Sequence, residues 1–165
     1  MKWKNGGENN MIEKVGFNIS LVILRNKAGL GAAILLHKVQ EGVYELPNAF
    51  LGATDTPDTL AKSILETVTL DGQQESLSPS ILFGEPNRDP AGHNIAQLYV
   101  AQMQSEAELK DTKANSDYIW FTTTSHDTKV DLSTDNTTII LYRDGRATGD
   151  AVLALDHSQM LTTIF

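Results

Sequence analysis

The sequence predicts an α+β domain organised around a mixed β-sheet. Three observations lead to that class. Short stretches rich in β-branched residues recur along most of the chain. Only one central segment and one terminal segment carry helical signals. No glycine-rich dinucleotide fingerprint follows any strand, which sets aside a doubly wound nucleotide fold.

The elements follow in order. "FNISLVILRN" (residues 17–26) and "LGAAILLHKV" (30–39) read as two strands of a hairpin, turned by "KAG". "VYEL" (43–46) is a short strand stopped by Pro47. The helix that comes next is the best marked: Thr56 suits the N-cap, Pro57 the first helical position and Asp58 the positive end of the helix dipole. Leu60, Ile64, Leu65 and Val68 form its apolar stripe, and "LDG" (70–72) is expected to end it. "SILFGEP" (80–86) reads as a strand entering the turn-rich "NRDPAGH" (87–93), and "NIAQLYVAQM" (94–103) alternates as a strand does. "SEAELKD" (105–111) reads as a polar connection with one helical turn, and "SDYIWFT" (116–122) as a further strand. A hairpin is expected over residues 137–155, turning at Asp144-Gly145, and "DHSQMLTTIF" (156–165) as a helix that Asp156 caps.

At 165 residues, with 41% hydrophobic and 21% charged side chains, the chain suits one globular domain with a sizeable core. Residues 1–12 read as a disordered lead-in and residues 13–165 as the domain. The net charge of -8 argues against nucleic-acid binding through phosphate contacts, which needs clustered Lys and Arg. With no cysteine there is no disulfide, thiolate metal site or cysteine nucleophile. The N-terminal stretch lacks the apolar run of a secretory signal, and no later stretch is long enough to span a bilayer. The expectation is a cytoplasmic protein that contacts neither membrane nor nucleic acid.

The segment "ELPNAFLGATDTPDTLAKSILETVTLDG" (45–72) resembles the catalytic segment of the Nudix superfamily. That segment runs Leu-Pro-Gly-Gly-Phe, then a box written G-x5-E-x7-R-E-U-x-E-E-x-G-U. Here Leu46, Pro47 and Phe50 stand in place, Asn48 and Ala49 replace the glycines, and the loop is about three residues longer. "FGEPNRDPAGHNIAQLYVA" (83–101) is similar to the Asp-Pro-Arg-Gly-His segment of ADP-ribose-type Nudix domains, among them those of NAD-metabolism regulators. "LALDHSQML" (153–161) is similar to the terminal Asp-His helix of that branch. The resemblance covers residues 18–161 apart from the 137–154 hairpin, and implies a mixed sheet sandwiched between helices. The expectation is that no winged-helix module accompanies the Asp-His motif, which disfavours a DNA-binding regulator.

In that family a divalent metal, Mg²⁺ or Mn²⁺, neutralises the substrate's phosphates and prepares a water. Mg²⁺ needs oxygen ligands in near-octahedral array, so several carboxylates must meet on one helical face. Matching Asp58 to the first glutamate of the box puts Glu66 at its arginine and Thr67, Leu70 and Asp71 at its metal-binding glutamates. Sliding by one residue puts Glu66, Thr69 and Leu70 there. One carboxylate survives either way. Glu66 and Asp71 also lie about 140° apart round a helix.

The expectation is therefore a protein that binds a nucleoside-diphosphate-linked ligand resembling ADP-ribose, with hydrolysis weak or lost. Asn48, Phe50, Arg88, Asp89 and His93 are the ligand-binding candidates, Arg88 because guanidinium grips phosphate bidentately. Glu66 and Asp71 are the metal candidates and, with His93, the catalytic ones. The plain structural readings stand beside these. Glu66 can pair with Lys62, Asp71 can end a helix, Asp89-Pro90 can be a turn, and Phe50, Tyr44 and Trp120 can be core. Two alternatives stay open. One is an active hydrolase with a non-standard metal site that borrows Glu85, Asp89 or Glu106, and the other a non-catalytic scaffold or homodimer. A cofactor is needed only by the hydrolase.

Overall fold

In a computed structural model the chain is described at residues 15–29, 31–69, 71–85, 88, 93–154 and 156–165. The expected lead-in at 1–12, the Asp89-Pro90 turn and Leu70 lie outside these. Among the described residues eleven strands share one sheet, whose main path runs through residues 147–149, 138–142, 129–133, 118–125, 31–40, 16–27, 94–103 and 74–83. β1 (Gly16–Lys27) lies at its centre, parallel to β6 (Asn94–Met103) over ten register pairs, from Gly16↔Asn94 to Arg25↔Met103. β2 (Gly31–Gln40) pairs antiparallel with β1 only at residues 24–27 of β1, and with β7 (Tyr118–Ser125) on its other side. The sheet is mixed, as its patterning predicted.

Both faces of the sheet are covered. Ile19, Leu21 and Ile23 of β1 pack with Ala61, Ile64, Leu65 and Val68 of α1 (Pro57–Val68). Val22 of β1 lies on the other face, in a second core with Leu36, Phe121, Leu132 and the Met160-Leu161 pair of α2 (His157–Thr162). A strand buried on both sides reads as a continuous apolar run, and "LVIL" (21–24) is one. Ser20 precedes it, is fully buried, and donates its hydroxyl to Asn18 Oδ1 at 2.8 Å.

Local chemistry sets α1. Thr56 takes an extended backbone as N-cap, its Oγ1 accepts from Thr59 N at 3.3 Å, and Thr59 Oγ1 accepts from Thr56 N at 2.9 Å. That is a capping box made with threonine in place of glutamate. The helix ends at Val68 instead of residues 70–72, because Thr69 is already extended and bridges to Leu109. Asp58 does more than suit the dipole: it accepts a hydrogen bond from the buried Tyr99 hydroxyl on β6. Burial and that bond raise the Tyr99 pKa to about 12.

Several elements differ from expectation. β3 (Val43–Glu45) stops before Pro47, and a further strand, β4 (Asn48–Phe50), pairs with residues 18–20 of β1. It fills the opening left where β1 and β2 part. β5 (Gln74–Phe83) starts six residues before the predicted 80–86 strand. Its polar half and Pro79 are tolerated because it is an edge strand, paired with β6 alone. Residues 105–111 form no helix; a 3₁₀ turn at Lys113–Asn115 follows instead. β8 (Lys129–Ser133), unmarked in the sequence, pairs with β7 and β9 (Thr138–Tyr142). The expected hairpin is present as β9 and β10 (Ala147–Gly149), turned at Gly145 with φ 87°. β11 (Val152–Leu153) then runs parallel to β3 into α2.

Candidate functional site

Two clefts flank β4, one on each side of the sheet, and Asn48 touches both. The α2-side cleft is lined by Asn18, Asn48, Phe50, Arg88, Asp156 and His157, floored by Ala96 and Met160. Its volume is ≈ 50 Å³, room for a few water-sized groups. Three of the sequence-predicted ligand residues, Asn48, Phe50 and Arg88, meet here. His93, at the entrance to β6, is half-buried and does not line the cleft. Asp89 lies outside the described residues.

Each side chain is held by an identifiable contact. Asn48 donates from Nδ2 to Leu46 O at 2.8 Å, and its Oδ1 accepts from Asn18 Nδ2 at 3.2 Å. His157 is buried, and its Nδ1 accepts from Leu46 N at 3.1 Å, so the neutral imidazole carries its proton on Nε2. Arg88 leaves the β5–β6 connection and donates from Nη1 to Asp156 Oδ2 and from Nη2 to Asn94 O at 2.9 Å. The Arg88 and Asp156 side chains are each only 6% exposed. Asp156 therefore does not cap α2 with its side chain as expected; the guanidinium takes it. Arg88 Nε is buried with no hydrogen-bond partner among the described residues.

Phe50, with core as its plain reading, is 59% exposed. It stands opposite Asn18 at the end of the short β4. Gly16 lets it settle there: a Cβ on that residue would lie 2.2 Å from Asn94 Oδ1 and 3.0 Å from Phe50 Cε1. Tyr44 is core, 5% exposed. Trp120 is half-buried, with the Arg25 guanidinium 4.1 Å from its ring centroid.

The α1-side cleft is larger, ≈ 260 Å³. Ala49, Leu60, Ile64 and Val68 give it an apolar wall, and Asn48, Ser63, Thr67 and Tyr118 a polar one. No charged side chain lines it among the described residues. The metal candidates lie elsewhere, in a third hollow of ≈ 110 Å³ at the end of α1, with Thr69, Gly72 and Gln74. There Glu66 pairs with Lys62 at 3.6 Å and the 89%-exposed Asp71 with Lys110 at 3.6 Å, while Lys110 Nζ also reaches Glu66 O. Among the described residues no three His, Cys, Asp or Glu side chains converge to hold a metal. A divalent ion needs several oxygen ligands together, and two lysine-paired carboxylates do not fit that requirement.

Sequence reasoning passed over Asn18, Ser63 and Tyr118, and took Asp156 and His157 as the start of a terminal helix resembling the family's Asp-His helix, not as cleft residues. A faint signal existed for Asn18. With Ser20 it puts two polar residues on one face of an otherwise apolar strand.

The comparisons bear on this geometry. No family model matches the chain, and no curated protein matches its sequence. Solved structures do. A MutT/nudix family protein from Enterococcus faecalis superposes with a TM-score of 0.78 at 24% identity, over 91% of this chain. The chain has the Nudix fold. Two further Nudix-fold matches are more distant. The NUDIX domain of Shewanella oneidensis NrtR, solved with ADP ribose, gives 0.52 at 16% identity over 66% of this chain and 73% of its own. A bifunctional NMN adenylyltransferase/ADP ribose pyrophosphatase from Francisella tularensis gives 0.58 at 16% identity over 92% of this chain. The Shewanella protein has also been solved with a 27mer DNA. The chain spans 60% of the Enterococcus protein and 41% of the Francisella one.

Proposed function

We propose that the protein binds a nucleoside-diphosphate-linked ligand of the ADP-ribose kind and hydrolyses it weakly or not at all. The observation that carries this reading is the buried Nε–H of Arg88, without a hydrogen-bond partner among the described residues, on a side chain that lines the α2-side cleft together with the exposed Phe50. A buried donor left unpaired is costly, and a ligand oxygen entering the cleft would satisfy it. Asp156 already balances the Arg88 charge, so this cleft offers directed N–H donors instead of a net positive field. Phe50 offers a face on which a base or ribose can pack. A Nudix-fold relative solved with ADP ribose supports the ligand class. Weak hydrolysis accords with Glu66 and Asp71 each being held by a lysine.

Titration calorimetry with ADP-ribose, NAD and nucleoside triphosphates, with and without Mg²⁺, tests the reading. ADP-ribose is expected to bind equally well in both conditions, and Phe50→Ala to weaken it by up to about tenfold. Heat from none of the ligands would overturn the proposal. Rapid Mg²⁺-dependent turnover would move the protein to the hydrolases.

A further inference from the structure

We propose that β5 is the surface on which two copies of this chain meet, paired edge to edge across a two-fold axis at Leu77. Neither cleft is involved. β5 pairs with β6 alone, and eight of its ten residues are exposed. Folded proteins usually keep a bare sheet edge short or charged, because its unpaired N–H and C=O groups invite another strand. This edge runs the full length of Gln74–Phe83, and Glu75 is its one charged side chain.

The backbone is turned to receive a partner. Gln104 N donates to Gln73 O at 2.9 Å, so residue 104 faces the β5 side. Direction alternates along a strand, so Gln102 and Val100 also face β5, while Ala101 and Tyr99 face the other way. Ser76 and Ser78 lie opposite the first two, Leu77 and Pro79 opposite the second two. Leu77 therefore directs its N–H and C=O into the open edge. Pro79 fits the same alternation, since a residue without an N–H is tolerated where no ladder bond to β6 is needed. In an antiparallel pairing centred on Leu77, each Leu77 N–H donates to the Leu77 C=O of the other copy. Pro79 falls two residues from the axis. Its missing donor, with the irregularity between Pro79 and Leu82, ends the ladder there instead of breaking its middle.

Charge selects a second copy as the occupant. At a net charge of -8 the chain repels itself except where its surface is uncharged, and β5 is such a stretch. With the axis at Leu77, the two Glu75 side chains stand four positions apart along the strands. That is about 14 Å, beyond the ~8 Å screening length at physiological salt. The two Leu77 side chains meet directly across the seam, on the α1-side face that Leu77 already shares with the core. An apolar pair in that position favours antiparallel pairing. A ladder this short makes a weak dimer, with Kd on the order of 100 μM.

Sedimentation velocity of the full chain between about 10 μM and 1 mM should show monomer giving way to dimer. Leu77→Lys brings two ammonium groups together at the axis and should raise Kd by about tenfold or more. Because Leu77 also packs on the core, amide hydrogen exchange of the unaltered chain provides a second readout. The Leu77 amide should exchange more slowly as concentration rises, while Ser76 and Ser78, already bonded to β6, should not respond. A chain that stays monomeric at the highest concentration overturns the proposal. So does a dimer in which Leu77 exchange ignores concentration, or one that a folded Leu77→Lys variant forms as readily.

Discussion

At the scale of single residues, the Arg88–Asp156 pair decides most. Both side chains are buried, so each answers the other's charge where water would otherwise do so. Asp156→Asn should lower stability by ~3–5 kcal/mol in urea denaturation, because it strands a buried guanidinium. Replacing both partners together, Arg88→Met with Asp156→Leu, should cost much less. A parent-like Asp156→Asn would show that the pair is hydrated. Arg88 was legible as a binding candidate from its charge in a turn-rich loop. Its partner was not: the two stand 68 positions apart, and Asp156 reads locally as a helix cap. Which acceptor Asp156 becomes depends on whether a guanidinium reaches it, and only the folded chain brings one.

Among the elements, those with local rules were legible and those that depend on neighbours were not. α1 begins where its Thr-Pro-Asp start says it should, because cap, proline and dipole act within one turn. Thr56→Ala should therefore cost ~1 kcal/mol in chemical denaturation, by removing one acceptor from the first turn. A loss near zero would mean that Thr59 caps the helix unaided. The β9–β10 hairpin was equally readable, since Asp144-Gly145 provides the positive φ its turn needs. β4 was not: Asn-Ala-Phe has no strand signature, and β1 pairs with it only because β2 has turned away. The polar half of β5 was missed for a related reason, since an edge strand needs little apolar surface.

On the scale of the whole molecule, the sheet with α1 on one face and α2 on the other sets what each candidate residue can meet. Glu66 and Asp71 fall at the end of α1 beside lysines, so millimolar Mg²⁺ or Mn²⁺ should shift the Tm by less than about 1 °C. A rise of several degrees would mean that they gain further ligands. By itself the sequence determined the α+β class, the start of the central helix and the Leu46-Pro47 to Phe50 frame of the Nudix fold. Those depend on periodicity and on capping, which act over a few neighbouring residues. The tertiary structure alone decided that Phe50 stands exposed, that Asp156 answers Arg88, and that Ser63, Thr67 and Tyr118 share a groove. These are meetings between strands and helices far apart in the chain, and the pairing that creates them leaves no local trace.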